Sequence, residues 1–431
     1  MNIDQRGFNN QPSELLSGAE AAALLGIKRE TLYAYASRGL LRSEPGEGKK
    51  NKARLYPLSD LMLLKARRDA RRGHGPVAAS ALRWGEPVLE SAITLINDGE
   101  LLYRGRSAIE LANQGTPFEA AAELLWASPE AFAQKTATID ASKAATAWIG
   151  PPPEKVAALL PKGAPPLSAL ALAVAAMAPH DPERFRAPPA AEIDRARRII
   201  RRLAASLALT VDPTKTAAAL REESVATSVL TALGTRKRAS KIALAAVNKA
   251  LVLSADHELN ASAFTVRVAA SAGADLYACV SAGLATLSGP EHGGACDRIE
   301  ALAAEAGRPD RARAVVRDRT RRGEAIPGFG HKLYPAGDPR TAPILAAAEE
   351  IAPRSPGLRT LLALADAMAS SGREPPSIDL ALVALAEALG APPGSAAALF
   401  AIGRSAGWIA HALEQREAGF MVRPRARYTG P

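Results

Sequence analysis

In AEIDRARRIIRRLAASLAL, residues 191 to 209, the apolar side chains Ile193, Ala196, Ile200, Leu203 and Leu207 recur at steps of three or four positions. That spacing puts them on one face of an α-helix. Alanine and leucine dominate, while the β-branched runs that strands prefer are scarce. Hydrophobic residues make up 48 % of the 431 positions, enough for a large core and two or three domains. Proline and glycine clusters at 150–166, 187–189, 374–376 and 391–394 cut the pattern into helices of ordinary length. The chain therefore reads as mostly α. The arginines between the apolar positions, Arg195, Arg197, Arg198, Arg201 and Arg202, are expected to form a solvated stripe rather than a nucleic-acid contact.

The formal net charge is +10, and residues 1 to 83 hold 15 Lys and Arg against 8 Asp and Glu. The first 82 residues thus form a basic module, and the remainder is nearly neutral. Two cysteines, Cys279 and Cys296, cannot build a disulfide framework, which fits a reducing compartment. The start, MNIDQRGFNN, has no basic-then-apolar leader, and the uncharged apolar stretch from Leu167 to Ala178 is too short to cross a bilayer. A cytoplasmic protein with no membrane partner is expected.

Within the basic module, LSGAEAAALLGIKRETLYAYASRGLL reads as a helix ending before Gly26, a tight turn, and a second helix from Lys28 to Arg38. A lysine-rich hairpin follows, then Arg54, Tyr56 and a further helix from Ser59. Residues 15 to 72 resemble the MerR-type winged helix-turn-helix. That resemblance implies DNA contacts by Lys28, Arg29, Tyr33, Arg38, Lys49, Lys50, Lys52 and Arg54, with the second helix in the major groove. The same fold could equally persist as a docking or oligomerisation module.

Six histidines are present. His74, His180 and His411 sit in linker, helix-end and amphipathic-helix contexts. His257 in SADHELNAS, His292 in SGPEHGGAC and His331 in IPGFGHKLYPAGDPR lie instead beside small and helix-capping residues, which let a ligand approach the backbone. The two glycines after His292 are read as clearance for such a ligand and as a hinge. No His or Cys pair has zinc-site spacing, so no metal is expected. No Gly-x-Ser-x-Gly elbow occurs, and the Gly-x-Gly of GFGHK lacks phosphate-loop spacing. Histidines, carboxylates and arginines without a covalent nucleophile suit proton abstraction beside a carbonyl, with a dianionic partner held by arginine forks.

The run ADHELNASAFTVRVAASAGADLYACVSAGLATLSGPEHGGA, then IPGFGHKLYPAGDPR, PPSIDLALVAL and FAIGRSAGWIAHALEQ, is similar to the citrate synthase family. ITLINDGELLYRGRSAIELANQGTPFEAAAELLW resembles that family's amino-terminal strands and first helix, so the likeness spans about residues 88 to 431. It implies a citrate synthase fold, with a large domain at 83–296 and 393–431 and a small domain at 297–392 closing over a cleft. It implies Asp379 as the base that takes a methyl proton from acetyl-CoA. His292 would donate to the thioester oxygen, and His331 would polarise the oxaloacetate ketone. His257, Arg340, Arg404 and Arg423 would hold carboxylates, Arg423 reaching into a partner subunit's site, so a homodimer or larger homo-oligomer follows. The Ile326, Pro327, Gly328, Phe329, Gly330 loop, with its backbone donors, would meet coenzyme A. Acetyl-CoA enters as substrate, and no cofactor is permanently bound.

Taken singly, these residues have plainer readings: Asp379 as a helix-start carboxylate, Arg340 as the partner of Asp338, Arg404 as an exposed helix arginine. Four positions depart from the family pattern: Ser377 and Ile378, in Ser377-Ile378-Asp379 for Asn-Val-Asp, Cys296 for Asn, and Glu291 for Leu. Glu291 would either raise the pKa of His292 or point to solvent. Three functions remain open: citrate synthase, 2-methylcitrate synthase using propionyl-CoA, and a DNA-binding regulator that senses acyl-CoA or a dicarboxylate.

Overall fold

A computed structural model describes residues 15–37, 41–45, 54–58, 60–61, 64, 89–127, 147–185, 189–235, 240–426, 428 and 430. It divides into two compact units, Met1–Glu90 with Arg425–Pro431, and Ser91–Pro424.

In the first unit, strand β1 (Leu15–Ser17) leads into helix Gly18–Leu25 through a capping box between Ser17 and Glu20. The helix stops at Gly26, whose φ of 58° is the left-handed geometry that favours glycine. Helix Arg29–Ser37 follows, and β1, β3 (Arg54–Pro57) and β2 (Glu44–Pro45) form an antiparallel sheet in the order β1-β3-β2. Leu25, Leu32, Leu41, Tyr56 and Leu61 close a small core between the helices and the sheet. Residues 46–53, where a wing would lie, are outside the described residues.

The second unit opens on a three-stranded meander, β4 (Thr94–Asn97), β5 (Glu100–Tyr103) and β6 (Arg106–Ser107). Both of its turns put two residues at positive φ, Asp98-Gly99 and Arg104-Gly105. Those are the mirror-image turns that match strand twist. All else described in this unit is helix and connecting loop.

Helix Ser395–Ala418 runs through the middle, packed by helices Lys241–Ser254, Ala261–Ser271, Leu276–Leu287 and Ile378–Leu389. It is long and apolar enough to cross a membrane, but 94 % of its apolar window is buried inside the fold, so its hydropathy reflects a central core position. A separate small core of Leu302, Val315, Val316, Leu364 and Met368 lies entirely within the segment between residues 302 and 368.

The arginine stripe corrects the expectation from periodicity. Arg195, Arg201 and Arg202 are buried. Arg195 pairs with Asp181 at 2.7 Å and Glu192 at 2.5 Å, Arg201 donates to the carbonyls of Glu222 and Glu223, and Arg202 donates to that of Ala147. Their helix, Pro189–Ser206, is surrounded by partners drawn from distant segments, which its own sequence does not display.

Candidate active site

The loop after helix Lys241–Ser254 carries the first site residue. The Tyr103 hydroxyl, at the end of β5, donates to the Val252 carbonyl at 3.0 Å and lies 3.3 Å from both the carbonyl and the N–H of Asp256. From the other side, the Gly407 N–H donates to the Ala255 carbonyl at 2.9 Å, and a Cβ on Gly407 would sit 2.1 Å from Asp256 Oδ1. Only glycine admits that approach. Glu258 then takes a φ of 55°, a strained left-handed turn that leaves His257 facing inward. His257 is buried, with Nε2 3.0 Å from the Tyr334 hydroxyl. Burial, helped by the Arg340 and Arg404 charges, holds its pKa well below the ordinary value, so it is neutral.

A second assembly comes from residues 328–340 and 375–379. The Ser377 N–H donates to the Gly328 carbonyl, and the Gly330 N–H to the Pro375 carbonyl, both at 2.8 Å. Asp338 forks onto Arg340, Oδ1 to Nε at 2.9 Å and Oδ2 to Nη2 at 2.7 Å, while Oδ2 also accepts the Ile378 N–H at 3.2 Å. One carboxylate thereby fixes Arg340 and the start of the helix that carries Asp379. Burial would raise the Asp338 carboxyl, but Arg340 beside it brings it below the usual range. The Leu333 N–H donates to His331 Nδ1 at 3.1 Å, so a neutral ring must carry its proton on Nε2. Burial and the Arg340 charge lower the His331 pKa, which favours that neutral form. Asp379 shows the opposite effect: burial raises its carboxyl.

These two assemblies meet. The His257 and His331 rings stand edge to face with centroids 5.1 Å apart, and Tyr334 contacts both. Arg404 joins from the central helix. It is buried, its Nε donates to the Ser254 carbonyl at 2.9 Å, and its guanidinium lies 4.5 Å over the Phe400 ring. Its terminal nitrogens, like Nη1 of Arg340, have no partner among the described residues. Burial pushes Arg404 down to about 10, still charged at neutral pH. Arg340 is the partner of Asp338 and also a member of the cluster, whereas the exposed-arginine reading of Arg404 is overturned.

His292 lies close by, its ring 6.3 Å from that of Phe400. Its Nε2 is 2.9 Å from Ser262 Oγ, which accepts the Trp408 indole N–H at 3.0 Å and donates to Asn260 Oδ1 at 2.7 Å. Asn260 Oδ1 already accepts two backbone N–H groups as the cap of helix Ala261–Ser271. With its own proton on Asn260 Oδ1, the Ser262 oxygen accepts from the ring, which places the proton of a neutral His292 on Nε2. Burial lowers the His292 pKa to about 4, so the ring is neutral. Glu291 points away: its side chain is 96 % exposed and 3.8 Å from Arg298. The glycines after His292 serve the turn itself, since a Cβ on Gly293 would strike the Leu287 carbonyl at 2.6 Å and one on Gly294 the Pro290 Cα at 2.8 Å. Ligand clearance is not what requires them.

Other expected residues stand apart. Arg423 is exposed on the C-terminal tail. The Ile326–Gly330 loop is half-buried, and the Gly330 donor is spent on Pro375, which removes part of the reason for reading the loop as a ligand cradle. In the first unit Lys28, Arg29, Tyr33 and Arg54 are exposed, and Arg54 donates to Ser43 Oγ at 2.8 Å. Arg38, Lys49, Lys50 and Lys52 lie outside the described residues. Among the described residues, no three His, Cys, Asp or Glu side chains group as metal ligands would. Sequence reasoning passed over Tyr334, Asp338, Ser262 and Trp408 as site residues. Tyr334 and Asp338 stand inside the His331 motif, where their spacing was a usable signal; Ser262 and Trp408 meet only in three dimensions.

A mostly helical fold thus brings two neutral histidines, His257 and His331, together with the buried Arg340 and Arg404, near a carboxylate, Asp379, that its surroundings raise. Residues 81–425 match the family model of the citrate synthase C-terminal domain, and residues 15–69 that of a helix-turn-helix domain. The chain belongs to the citrate synthase family. It is 36 % identical over 195 residues to citrate synthase 2 of Bacillus subtilis, covering 44 % of this chain and 52 % of that protein. It is 33 % identical over 185 residues to 2-methylcitrate synthase 2 of Corynebacterium glutamicum, covering 42 % and 48 %. The chain spans about half the length of the curated relatives it matches. Its fold is similar to citrate synthase from Thermoplasma acidophilum in ternary complex with carboxymethyl coenzyme A and oxaloacetate, with TM-score 0.68 and 27 % identity over 80 % of this chain and 94 % of that one. Citrate synthase from Thermotoga maritima gives TM-score 0.65 at 26 % identity, covering 80 % and 94 %.

Proposed function

We propose that the chain condenses acetyl-CoA with oxaloacetate to citrate and free CoA. The observation that carries this reading is the convergence of the buried Arg340, Arg404 and His257 with the half-buried His331, beside a carboxylate, Asp379, that desolvation makes a stronger base.

The arginine nitrogens that Asp338 and Ser254 leave uncommitted take the carboxylates of oxaloacetate in paired, charge-assisted bonds. Asp379 removes a methyl proton from acetyl-CoA while His292 donates to the thioester oxygen where negative charge develops, the Ser262 hydroxyl turning from Asn260 to Nε2 so that the ring proton stands on Nδ1. The enolate carbon attacks the oxaloacetate ketone, and the His331 Nε2 proton passes to the oxygen that becomes the citrate hydroxyl. Water then hydrolyses the thioester, giving citrate and CoA. Closing the segment 297–392 over the larger domain excludes bulk water until that step. The Ile326–Gly330 loop contacts coenzyme A through side chains and its remaining backbone groups. Arg423 completes a partner subunit's site in a homodimer, and the enzyme acts in the cytoplasm.

Release of CoA thiol from acetyl-CoA should require oxaloacetate, and Asp379→Ala should abolish it. Faster turnover of propionyl-CoA would redirect the reading to 2-methylcitrate synthesis. Oxaloacetate binding without turnover of either would overturn it in favour of a sensor.

The helix-turn-helix match favours a second activity, DNA binding through the exposed Lys28, Arg29, Tyr33 and Arg54. A gel-shift series against genomic fragments at rising salt tests it: binding that weakens steeply with salt is expected, and no shift at low salt would exclude it.

A further inference from the structure

Cys296 stands in the first turn of helix Ala295–Ala306, four residues after His292, and is fully buried. Its Sγ donates to Asp379 Oδ1 across 3.8 Å, and the other carboxylate oxygen accepts the Ser377 hydroxyl at 3.3 Å. Both contacts are long. The side chain that touches the candidate base on this flank is thus one of the weakest hydrogen-bond donors a protein has. It remains a donor, because burial and the neighbouring Asp379, Asp297 and Glu300 carboxylates keep the thiol from ionising.

The other charges acting on Asp379 are Arg340, which favours its anion, Asp338, which opposes it, and Arg404. All three are held by contacts that do not involve Cys296. The strength of the donor at position 296 is therefore an independent control on the carboxylate. A strong donor would stabilise the anion and weaken it as a base; no donor would leave the carboxylate held on one side only, by the Ser377 hydroxyl.

We propose that Cys296 is a positioning residue for the base: its thiol orients Asp379 while leaving the carboxylate more basic than a hydroxyl or amide donor at that position would. This rests on the condensation reading above. In the Cys279→Ala background Cys296 carries the only thiol, so one S–H stretching band in the infrared reports its bond. Adding Asp379→Ala should shift that band to higher frequency. The acid limb of kcat/KM for acetyl-CoA against pH should lie lowest in Cys296→Ser, intermediate in the wild type and highest in Cys296→Ala, spanning on the order of one pH unit. An unmoved band, or the same limb in all three proteins, would overturn the proposal. If the wild type shows no turnover, the band still decides: a shift keeps Cys296 as the donor to Asp379, and it is the condensation reading that fails.

Discussion

Asp338→Ala removes the counter-charge of a buried guanidinium. The two side chains are 0 % and 2 % exposed and joined by two hydrogen bonds, so the variant strips a buried guanidinium of its hydrogen-bonded counter-ion. Breaking a buried pair from one side costs about 3–5 kcal/mol. For a unit as large as Ser91–Pro424 that corresponds to a fall in Tm on the order of 5–10 °C. Asp338→Asn keeps the shape but not the charge and should lose nearly as much. The sign with pH follows from the lowered Asp338 pKa. The gap between wild type and variant is full above the ordinary carboxylate value of about 4 and closes as pH falls through the lower value of the folded protein. Saturating oxaloacetate should raise the Tm of Asp338→Ala more than that of the wild type, because its carboxylates supply the missing charge. Calorimetric melts across pH, with and without oxaloacetate, measure all of this. Variants melting within a degree of the wild type at neutral pH would refute the role given to the pair.

The neutral His292 ring costs folding free energy on acidification. The unfolded chain takes up a proton near the ordinary histidine value, whereas the folded ring does so only near 4, so stability falls between pH 6.5 and 4 by about 3 kcal/mol. His292→Asn should flatten that part of a stability-against-pH curve from denaturant titration, and an unchanged curve would contradict it. A Cβ on Gly283 would lie 2.6 Å from the Trp408 ring, so Gly283→Ala should cost about 1–3 kcal/mol by urea unfolding and displace the indole that braces Ser262. A loss in kcat should accompany the loss in stability. Co-expressed Asp379→Ala and Arg423→Ala subunits should recover about a quarter of wild-type activity through mixed dimers in which one site is whole. No recovery above the separate variants would show that Arg423 does not act across subunits.

The helical class was legible because Ala/Leu periodicity and Pro/Gly punctuation are local properties. The meander at 94–107 was anticipated from family likeness, although Asp98-Gly99 and Arg104-Gly105 are turn signals in their own right. His257, His331, Arg340 and Asp379 were nameable from their motifs. Their supports were not, since the Tyr103 hydroxyl reaches the loop at Asp256, 153 residues later, and Trp408 meets Ser262 across 146. The same blindness made Arg195, Arg201 and Arg202 look solvated, because their carboxylate and carbonyl partners belong largely to other segments. Glu291 misled in the opposite way. It is adjacent to His292 in sequence, yet its carboxylate faces solvent and Arg298.

The most direct test of the account is the product. Mass spectrometry of wild-type protein incubated with oxaloacetate and methyl-labelled acetyl-CoA should find citrate carrying the label. Asp379→Ala should make none while still gaining thermal stability from oxaloacetate. Labelled citrate formed equally by Asp379→Ala, or no labelled citrate from a wild type that binds oxaloacetate, would contradict the account.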